Sequence, residues 1–332
     1  ILDAPVILVV DAGGASRSVH AMIQGYAGFD PGVRVAGVIL NRIGSARHLT
    51  MIEETKSLPI YGGVPRRKDL TVESRHLGLA MATEDDAMAR FGAVVEETCD
   101  LSRVMDLARS APPLPAPAEG GSRSETRVRI GVAQDAAFCF YYADNLDRLA
   151  RAGADLVFFS PVANRLPDVD ALYIGGGYPE LHAAALTASR CREDIRRAAD
   201  DGMPIYAECG GLIYLTEQLA TAGGDYPMAG VLPATAVMTD RIQALGYVEA
   251  RVAGGAPILI PGSAFRGHEF HYSRLDCASD ARFALTLLRG KGIDGGRDGL
   301  IAQNAVGQYT HAYFTEGSAG MLVQAALAYR RS

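Results

Sequence analysis

Pro204-Ile205-Tyr206-Ala207-Glu208-Cys209-Gly210-Gly211-Leu212-Ile213-Tyr214-Leu215 runs from an apolar strand pattern through one cysteine into two glycines and a helix-like stretch. A chain builds a nucleophile elbow in this way. The turn excludes large neighbours, hence Ala207 and Gly211, and lifts the sulfur out of the sheet. The helix that follows aims its free N–H groups and positive dipole end at the sulfur, an arrangement expected to favour thiolate. The same N–H groups suit an oxyanion. The pattern points to a cysteine nucleophile in acyl transfer.

The alternation of strand and helix continues on both sides of the elbow. Upstream, Val128–Val132 reads as a strand, Ala143–Ala152 as a helix, Leu156–Phe159 and Ala171–Ile174 as strands, and Arg190–Ala199 as a helix. Gly175-Gly176-Gly177 closes one of these strands, so it is either a tight turn or half of an oxyanion hole. In the second reading Gly177 and Gly210 each supply one N–H. Downstream, residues 226–316 are richer in strands. A thiol is mostly protonated at neutral pH and needs an imidazole partner. Of the seven histidines, His311 is the first candidate, at the end of a β-like segment in the same domain, with His268 and His271 as rivals.

Residues 110–126 are rich in Pro, Ala, Gly and Ser, a linker composition. The expected organisation is therefore α/β in two domains with mostly parallel sheets, residues 1–109 and 127–332. In the first, the apolar runs Val6–Val10 and Val33–Leu40 flank a helix over Val19–Tyr26 and end at Asp11 and Asn41. Continuous apolar strands joined by helices imply a parallel sheet covered on both faces, with ligands at the carboxyl ends of the strands. Asn41-Arg42, Arg47-His48, Arg66-Arg67-Lys68 and Arg75-His76 form basic clusters, read either as a solvated face or as a site for an anionic, many-carboxylate substrate.

The 332 residues carry a net charge of −6, which argues against a general nucleic-acid binder. No apolar run approaches the roughly 20 residues of a membrane span. Five scattered cysteines show no zinc spacing, and a sparse, odd set suggests a reducing cytoplasm. The chain opens on Ile1 without Met and reads as part of a longer protein. It contains no GxxxxGK[ST] P-loop.

Together, Ala137-Phe-Cys-Phe-Tyr-Tyr142, Phe159-Ser-Pro161, Gly175-Gly-Gly-Tyr-Pro-Glu180, Ala207-Glu-Cys-Gly-Gly211 and Arg266-Gly-His-Glu-Phe-His-Tyr-Ser273 resemble the cobyrinate a,c-diamide synthase family. Val38-Ile-Leu-Asn-Arg42 and Arg75-His-Leu-Gly-Leu79 add to it in the N-terminal segment. The resemblance implies a class I glutaminase domain in which Cys209 attacks the carboxamide of L-glutamine and ammonia passes to a synthetase domain. There ATP and Mg2+ activate the a- and c-side carboxylates of cobyrinate in cobalamin biosynthesis.

The N-terminal segment would be the later part of that dethiobiotin-synthetase-like P-loop domain, its P-loop lying before Ile1. Asn41, Arg42, Arg75 and His76 would face the anionic tetrapyrrole. Partners would be small molecules (glutamine, ATP, the tetrapyrrole), with neither nucleic acid nor membrane, and a homodimer left open. No metal ligand is assigned within the chain.

Class I glutaminases usually carry a glutamate two residues after the histidine; here that position is Tyr313, as fits a family that lacks the third member. Glu269 is the candidate orienter in its place. The segment His311-Ala-Tyr313 departs from the His-Leu-His of many bacterial cobyrinate enzymes, which keeps nickel-sirohydrochlorin as an alternative substrate. Two other readings are a non-catalytic binding module and a stand-alone cysteine hydrolase.

Overall fold

Alternate residues of each apolar strand in the C-terminal segment serve two different cores, because successive side chains leave a strand on opposite faces. Leu172 and Ile174 pack with Ile205, Ala207 and Leu212, while Ala171 and Tyr173 pack with Ile130, Tyr206 and Val306. Burial on both faces is the reason these strands read as unbroken apolar runs. The computed structural model describes residues 2–55, 57–71, 87–114, 128–254, 256 and 259–331. The chain divides into two compact units, residues 1–119 and 120–332.

The first unit holds β1 (Val6–Asp11), α1 (Val19–Phe29), β2 (Val35–Ile43), α2 (Ala46–Glu53), β3 (Ile60–Pro65), α3 (Ala87–Thr98) and α4 (Leu101–Arg109). Its three strands form a parallel sheet in the order β1-β2-β3. Val19 and Ile23 of α1 meet Val10, Val38 and Leu40 of the sheet. Arg75 and His76 lie outside the described residues, as does most of the 110–126 stretch.

In the second unit the first half comprises β4 (Val128–Ala133), β5 (Phe138–Phe140), α5 (Ala143–Arg151), β6 (Ala154–Phe159), β7 (Ala171–Ile174), β8 (Gly176–Gly177), α6 (Ala183–Ala188) and α7 (Cys191–Asp200). Next come β9 (Ile205–Glu208), α8 (Gly210–Leu215), β10 (Thr216–Thr221), β11 (Gly224–Pro227) and β12 (Leu232–Met238). The remainder is β13 (Ala244–Val252), β14 (Ala264–His271), β15 (Ser273–Cys277), β16 (Arg282–Arg289), β17 (Arg297–Ala302), β18 (Ala305–Gln308), β19 (His311–Ala312) and α9 (Glu316–Arg330).

A ten-stranded sheet runs β19-β14-β13-β16-β17-β18-β9-β7-β4-β6. From β18 to β6 its pairs are parallel, and from β19 to β18 antiparallel. The parallel half carries the elbow, as the βαβ alternation implied. The antiparallel half is built from hairpins, which need no crossover helix. Parallel pairing of β18 with β9 sets Gln308 opposite Glu208 and so carries the chain after β18 to the elbow. Helix α9 covers one face through Ala319, Leu322, Val323 and Ala326, an i, i+3, i+4, i+7 stripe. Helix α7 covers the other through Cys191, Ile195, Ala198 and Ala199.

Two glycines of this unit differ sharply in their surroundings. A Cβ on Gly211 would lie 2.2 Å from the Ile174 carbonyl oxygen, whereas one on Gly320 in α9 would meet nothing within 4 Å. Gly211→Ala should therefore lower the stability of the unit by at least about 2 kcal/mol through overpacking. Gly320→Ala should raise it by about 0.5–1 kcal/mol through helix propensity. Urea unfolding midpoints of the two variants check this, and a parental midpoint for Gly211→Ala would contradict the contact.

Candidate active site

Cys209 closes β9 with φ 46° and ψ −99°, a left-handed-side conformation that costs a non-glycine residue roughly 1–3 kcal/mol. The surrounding structure more than offsets that strain. The Cys209 N–H donates to the Gln308 carbonyl (2.7 Å) and its carbonyl accepts from Ile213 (3.0 Å). Helix α8 has only six residues, too few to stand alone, yet every one of them is buried. Burial of Leu212, Ile213 and Leu215 contributes on the order of 1.5–3 kcal/mol each. The Thr216 hydroxyl satisfies the Ile213 carbonyl at 2.7 Å where α8 ends.

The loop after β7 meets this elbow backbone to backbone. Gly211 donates to the Gly175 carbonyl at 3.0 Å, and a Cβ on Gly210 would lie 2.8 Å from the Gly177 nitrogen. A Cβ on Gly177 of β8 would lie 1.9 Å from the oxygen of Ala137, the residue just before the paired strand β5. Tyr141 fixes the loop through its hydroxyl, which accepts from Gly175 at 2.8 Å and donates to the Ala133 carbonyl. Gly177 and Gly210 are thus brought together, and only glycine fits at either place.

His311 reaches the same point from β19. Its ring lies against Gly176, where a Cβ would stand 2.4 Å from the ring Cε1. The backbone around it is tied down on both sides by buried polar groups. The Asp298 carboxylate accepts from the Tyr309 and Thr310 amides (3.0 Å each) and from the Thr310 hydroxyl (2.7 Å). The Glu208 carboxylate accepts from the Ala312 amide at 2.9 Å and from the hydroxyls of Tyr206 (2.8 Å) and Tyr173 (3.0 Å). Asn145 donates to the Ala312 carbonyl and accepts from Phe314, both at 2.8 Å. Residues on either side of His311 therefore have little freedom. Among the described residues no hydrogen bond joins His311 to Cys209; the thiol donates to the Phe270 carbonyl at 3.7 Å.

Burial dominates the charge balance of the site. It pushes the Cys209 thiol up to about 12, with Glu180 adding to the effect and the Gly210 amide opposing it. Burial, with His268 and His271 nearby, pulls His311 down to about 3. The expectation of a preformed thiolate is overturned, because desolvation of the sulfur outweighs one amide at the end of a short helix. The resting pair is neutral thiol and neutral imidazole. Burial also raises Glu208 to about 7, against the pull of its hydrogen bonds from Ala312, Tyr206 and Tyr173.

Glu269 does not take the orienting position. Its two carboxylate oxygens accept from the Lys291 amide (2.6 Å) and the Gly292 amide (2.9 Å), holding the turn between β16 and β17. Glu269 follows His268 in β14, so it leaves the strand on the face opposite the one shared with His311. Of the rival histidines, His271 bonds through Nδ1 to the Ser273 carbonyl (2.7 Å) and stacks on Tyr309 at 3.6 Å. His268 lies beside His311, with ring centroids 4.7 Å apart.

Glu208, Asp298 and Asn145 were not singled out by sequence. For Glu208 the signal was present: a carboxylate inside an apolar strand is rare unless bonded. Asp298 and Asn145 sit in ordinary polar contexts and carry no such mark.

In the first unit, a cavity of about 1000 Å3 is lined by Asn41, Arg42, Arg66, Arg67 and Lys68 among others. Arg42 also donates to Asp11 at 2.8 Å. Among the described residues no group of three or more His, Cys, Asp or Glu could hold a metal ion. Nor is any described helix long and apolar enough to cross a membrane.

A parallel sheet that brings a strained cysteine and a histidine to one glycine loop points to a class, the glutamine amidotransferase domains. The family model for the CobB/CobQ-like glutamine amidotransferase domain matches residues 129–319, and one for an AAA domain matches residues 1–74. A cobyrinate a,c-diamide synthase of Methanosarcina acetivorans is 41% identical over 369 aligned positions, covering 100% of this chain and 74% of that protein. One from Archaeoglobus fulgidus is 43% identical over 326 positions, covering 95% and 71%.

Among solved structures, PurLQS from Thermotoga maritima matches 61% of this chain and 98% of its own, at 16% identity and TM-score 0.45. That likeness is too distant to carry weight. The chain belongs to the CobB/CobQ-like glutamine amidotransferases, the family of the cobyrinate a,c-diamide synthases, which are glutamine-hydrolysing ligases.

Two measurements test the electrostatics. Without glutamine, alkylation of Cys209 by iodoacetamide should be slow at pH 7 and still rising above pH 9. A plateau below pH 7 would show a preformed ion pair instead. For Glu208 the native state holds the proton more tightly than the unfolded state, since its value lies above the ordinary 4.5. Its contribution to stability is full below pH 4.5 and is lost as pH rises through about 7. Relative to the parent, Glu208→Gln should therefore gain on the order of 3 kcal/mol of stability between pH 4.5 and pH 8. A difference that stays constant with pH would contradict it.

Proposed function

We propose that Cys209 and His311 hydrolyse glutamine, with the Gly177 and Gly210 amides as oxyanion donors, and that the ammonia amidates the a- and c-side carboxylates of cobyrinate. The observation that carries this reading is the strained Cys209 backbone beside the contact between Gly177 and Gly210. On attack, the thiol proton passes to His311 as sulfur bonds the carboxamide carbon, and negative charge gathers on the former carbonyl oxygen. Collapse of the adduct breaks the C–N bond, and His311 returns the proton to the departing nitrogen. Water, deprotonated by His311, then cleaves the thioester to glutamate and thiol. A buried neutral pair suits this cycle, since glutamine entry changes the surroundings of both groups before charge develops.

The first unit supports the synthetase half of the reading. Residues 1–109 would belong to an ATP-dependent synthetase domain, in keeping with the AAA-domain match over residues 1–74. The cavity beside Asn41 and Arg42, with Arg66, Arg67 and Lys68 on its wall, fits the anionic portion of a nucleotide or a polycarboxylate macrocycle. These cationic side chains do not fit a magnesium ion. Relatives named for cobyrinate match both units, whereas a stand-alone cysteine hydrolase would have no use for the first.

Cys209→Ala in the complete enzyme should lower glutamine hydrolysis by at least about 10³-fold. Amidation supplied with ammonium ions should survive. Loss of both in a folded variant would contradict the division of labour. Turnover with cobyrinate against nickel-sirohydrochlorin, under ATP, magnesium and glutamine, tests the substrate; preference for the nickel macrocycle would overturn the assignment.

A further inference from the structure

Read as the base, His311 has no carboxylate hydrogen-bonded to its ring among the described residues. Three buried carboxylates of this unit are committed elsewhere: Glu208 to Ala312, Tyr206 and Tyr173, Asp298 to Gly299, Tyr309 and Thr310, and Glu269 to Lys291 and Gly292. Two residues after His311 stands Tyr313, whose hydroxyl donates to Asp144 at 2.6 Å. Clamping of the backbone fixes where the Cα of His311 sits but leaves rotation of the ring about its side-chain bonds. Something else must hold the plane of the ring if Nε2 or Nδ1 is to face the sulfur.

We propose that His268 is the positioning residue for His311, fixing its ring plane by stacking, and that Tyr142 in turn fixes His268. The inference rests on the reading of Cys209 and His311 as nucleophile and base. His268 and His311 lie directly opposite each other in the antiparallel pair of β14 and β19, so their side chains leave the sheet on the same face. Their rings are 4.7 Å apart between centroids and 9° from parallel. Nδ1 of His268 shares a hydrogen bond of 2.8 Å with the Tyr142 hydroxyl, and the Tyr142 ring meets His268 edge-on at 5.9 Å. The Tyr142 ring is braced in the same way by Tyr313 at 5.8 Å. Gly176 bounds the His311 ring at Cε1.

The arrangement draws on two sequence motifs, one of which also braces the Gly175–Gly177 loop through Ala137 and Tyr141. Ala137–Tyr142 supplies the tyrosine and Arg266–Ser273 the stacking imidazole. It also differs from a carboxylate in consequence. A carboxylate both orients an imidazole and stabilises its cation; a neutral stacked ring orients without stabilising the cation. Burial holds His268 below its ordinary value, so it stays neutral over His311.

Steady-state glutamine hydrolysis by the whole chain, with thermal unfolding as a control, tests the proposal in the parent, His268→Ala, His268→Phe and Tyr142→Phe. His268→Ala should lower kcat by about 10- to 100-fold while KM changes less than about twofold, the signature of a misplaced base. His268→Phe keeps a flat ring in the stack and should recover kcat to within about fivefold of the parent. Tyr142→Phe, which removes one hydroxyl and no ring, should lower kcat by about 2- to 5-fold.

Parental kcat in a folded His268→Ala would overturn the proposal, as would a loss confined to KM. A His268→Phe as slow as His268→Ala would also overturn it, because the ring nitrogens would then act chemically. Should His268→Ala unfold, Tyr142→Phe decides: an unchanged kcat rejects the chain of contacts. A parent that hydrolyses no glutamine, or a Cys209→Ala that still does, would defeat the Cys209–His311 reading and this inference with it.

Discussion

Two strand-to-helix loops of the second unit touch through their backbones, with no side chain between them. Gly211 donates to the Gly175 carbonyl, and the Gly177 nitrogen stands where a Cβ on Gly210 would have to go. That contact fixes the distance between β7 and β9 at their carboxyl ends. It places Gly177 beside Gly210, next to Cys209 with its positive φ of 46°. The strain is local and the support is not. Helix α8 is sunk entirely in the core, and its apolar side chains hold the turn in a conformation the isolated segment would not keep.

The second constraint is polar and lies beneath the first. Glu208 and Asp298 are buried, and a buried carboxylate costs several kcal/mol unless its lone pairs are used. Here they are used on backbone amides and hydroxyls of the segment that carries His311, so each carboxylate both satisfies itself and immobilises residues 309–312. The same burial leaves thiol and imidazole uncharged.

Much of the fold was legible along the chain. The strands β4, β7 and β9 showed as apolar runs because both their faces are covered. The elbow showed because a cysteine set between an apolar strand and Gly210-Gly211 fits a tight strand-to-helix turn and little else. The glycine loop after β7 was visible, and so was its pairing with Gly210 at the elbow, because both follow strands that end on the same side of one sheet. The orienter was misjudged at Glu269 because its neighbourhood to His268 in sequence says nothing of faces; adjacent strand residues point opposite ways. The thiolate expectation failed because a helix terminus can be read from sequence while the depth of a sulfur cannot.

What the sequence determined by itself was local: where strands end, which turn needs glycine, which cysteine stands in a nucleophile's context, and that the motif order is that of the cobyrinate a,c-diamide synthases. Only the tertiary structure decided that β18 lies parallel to β9 and that the ring of His311 lies against Gly176, in the loop that meets the elbow. It also decided that Glu208 and Asp298 grip the backbone on either side of that histidine, and that His268 rather than a carboxylate lies on its ring. The physical reason is that pairing register and burial arise between segments distant in the chain, and these set contacts, faces and desolvation. No single segment carries that information.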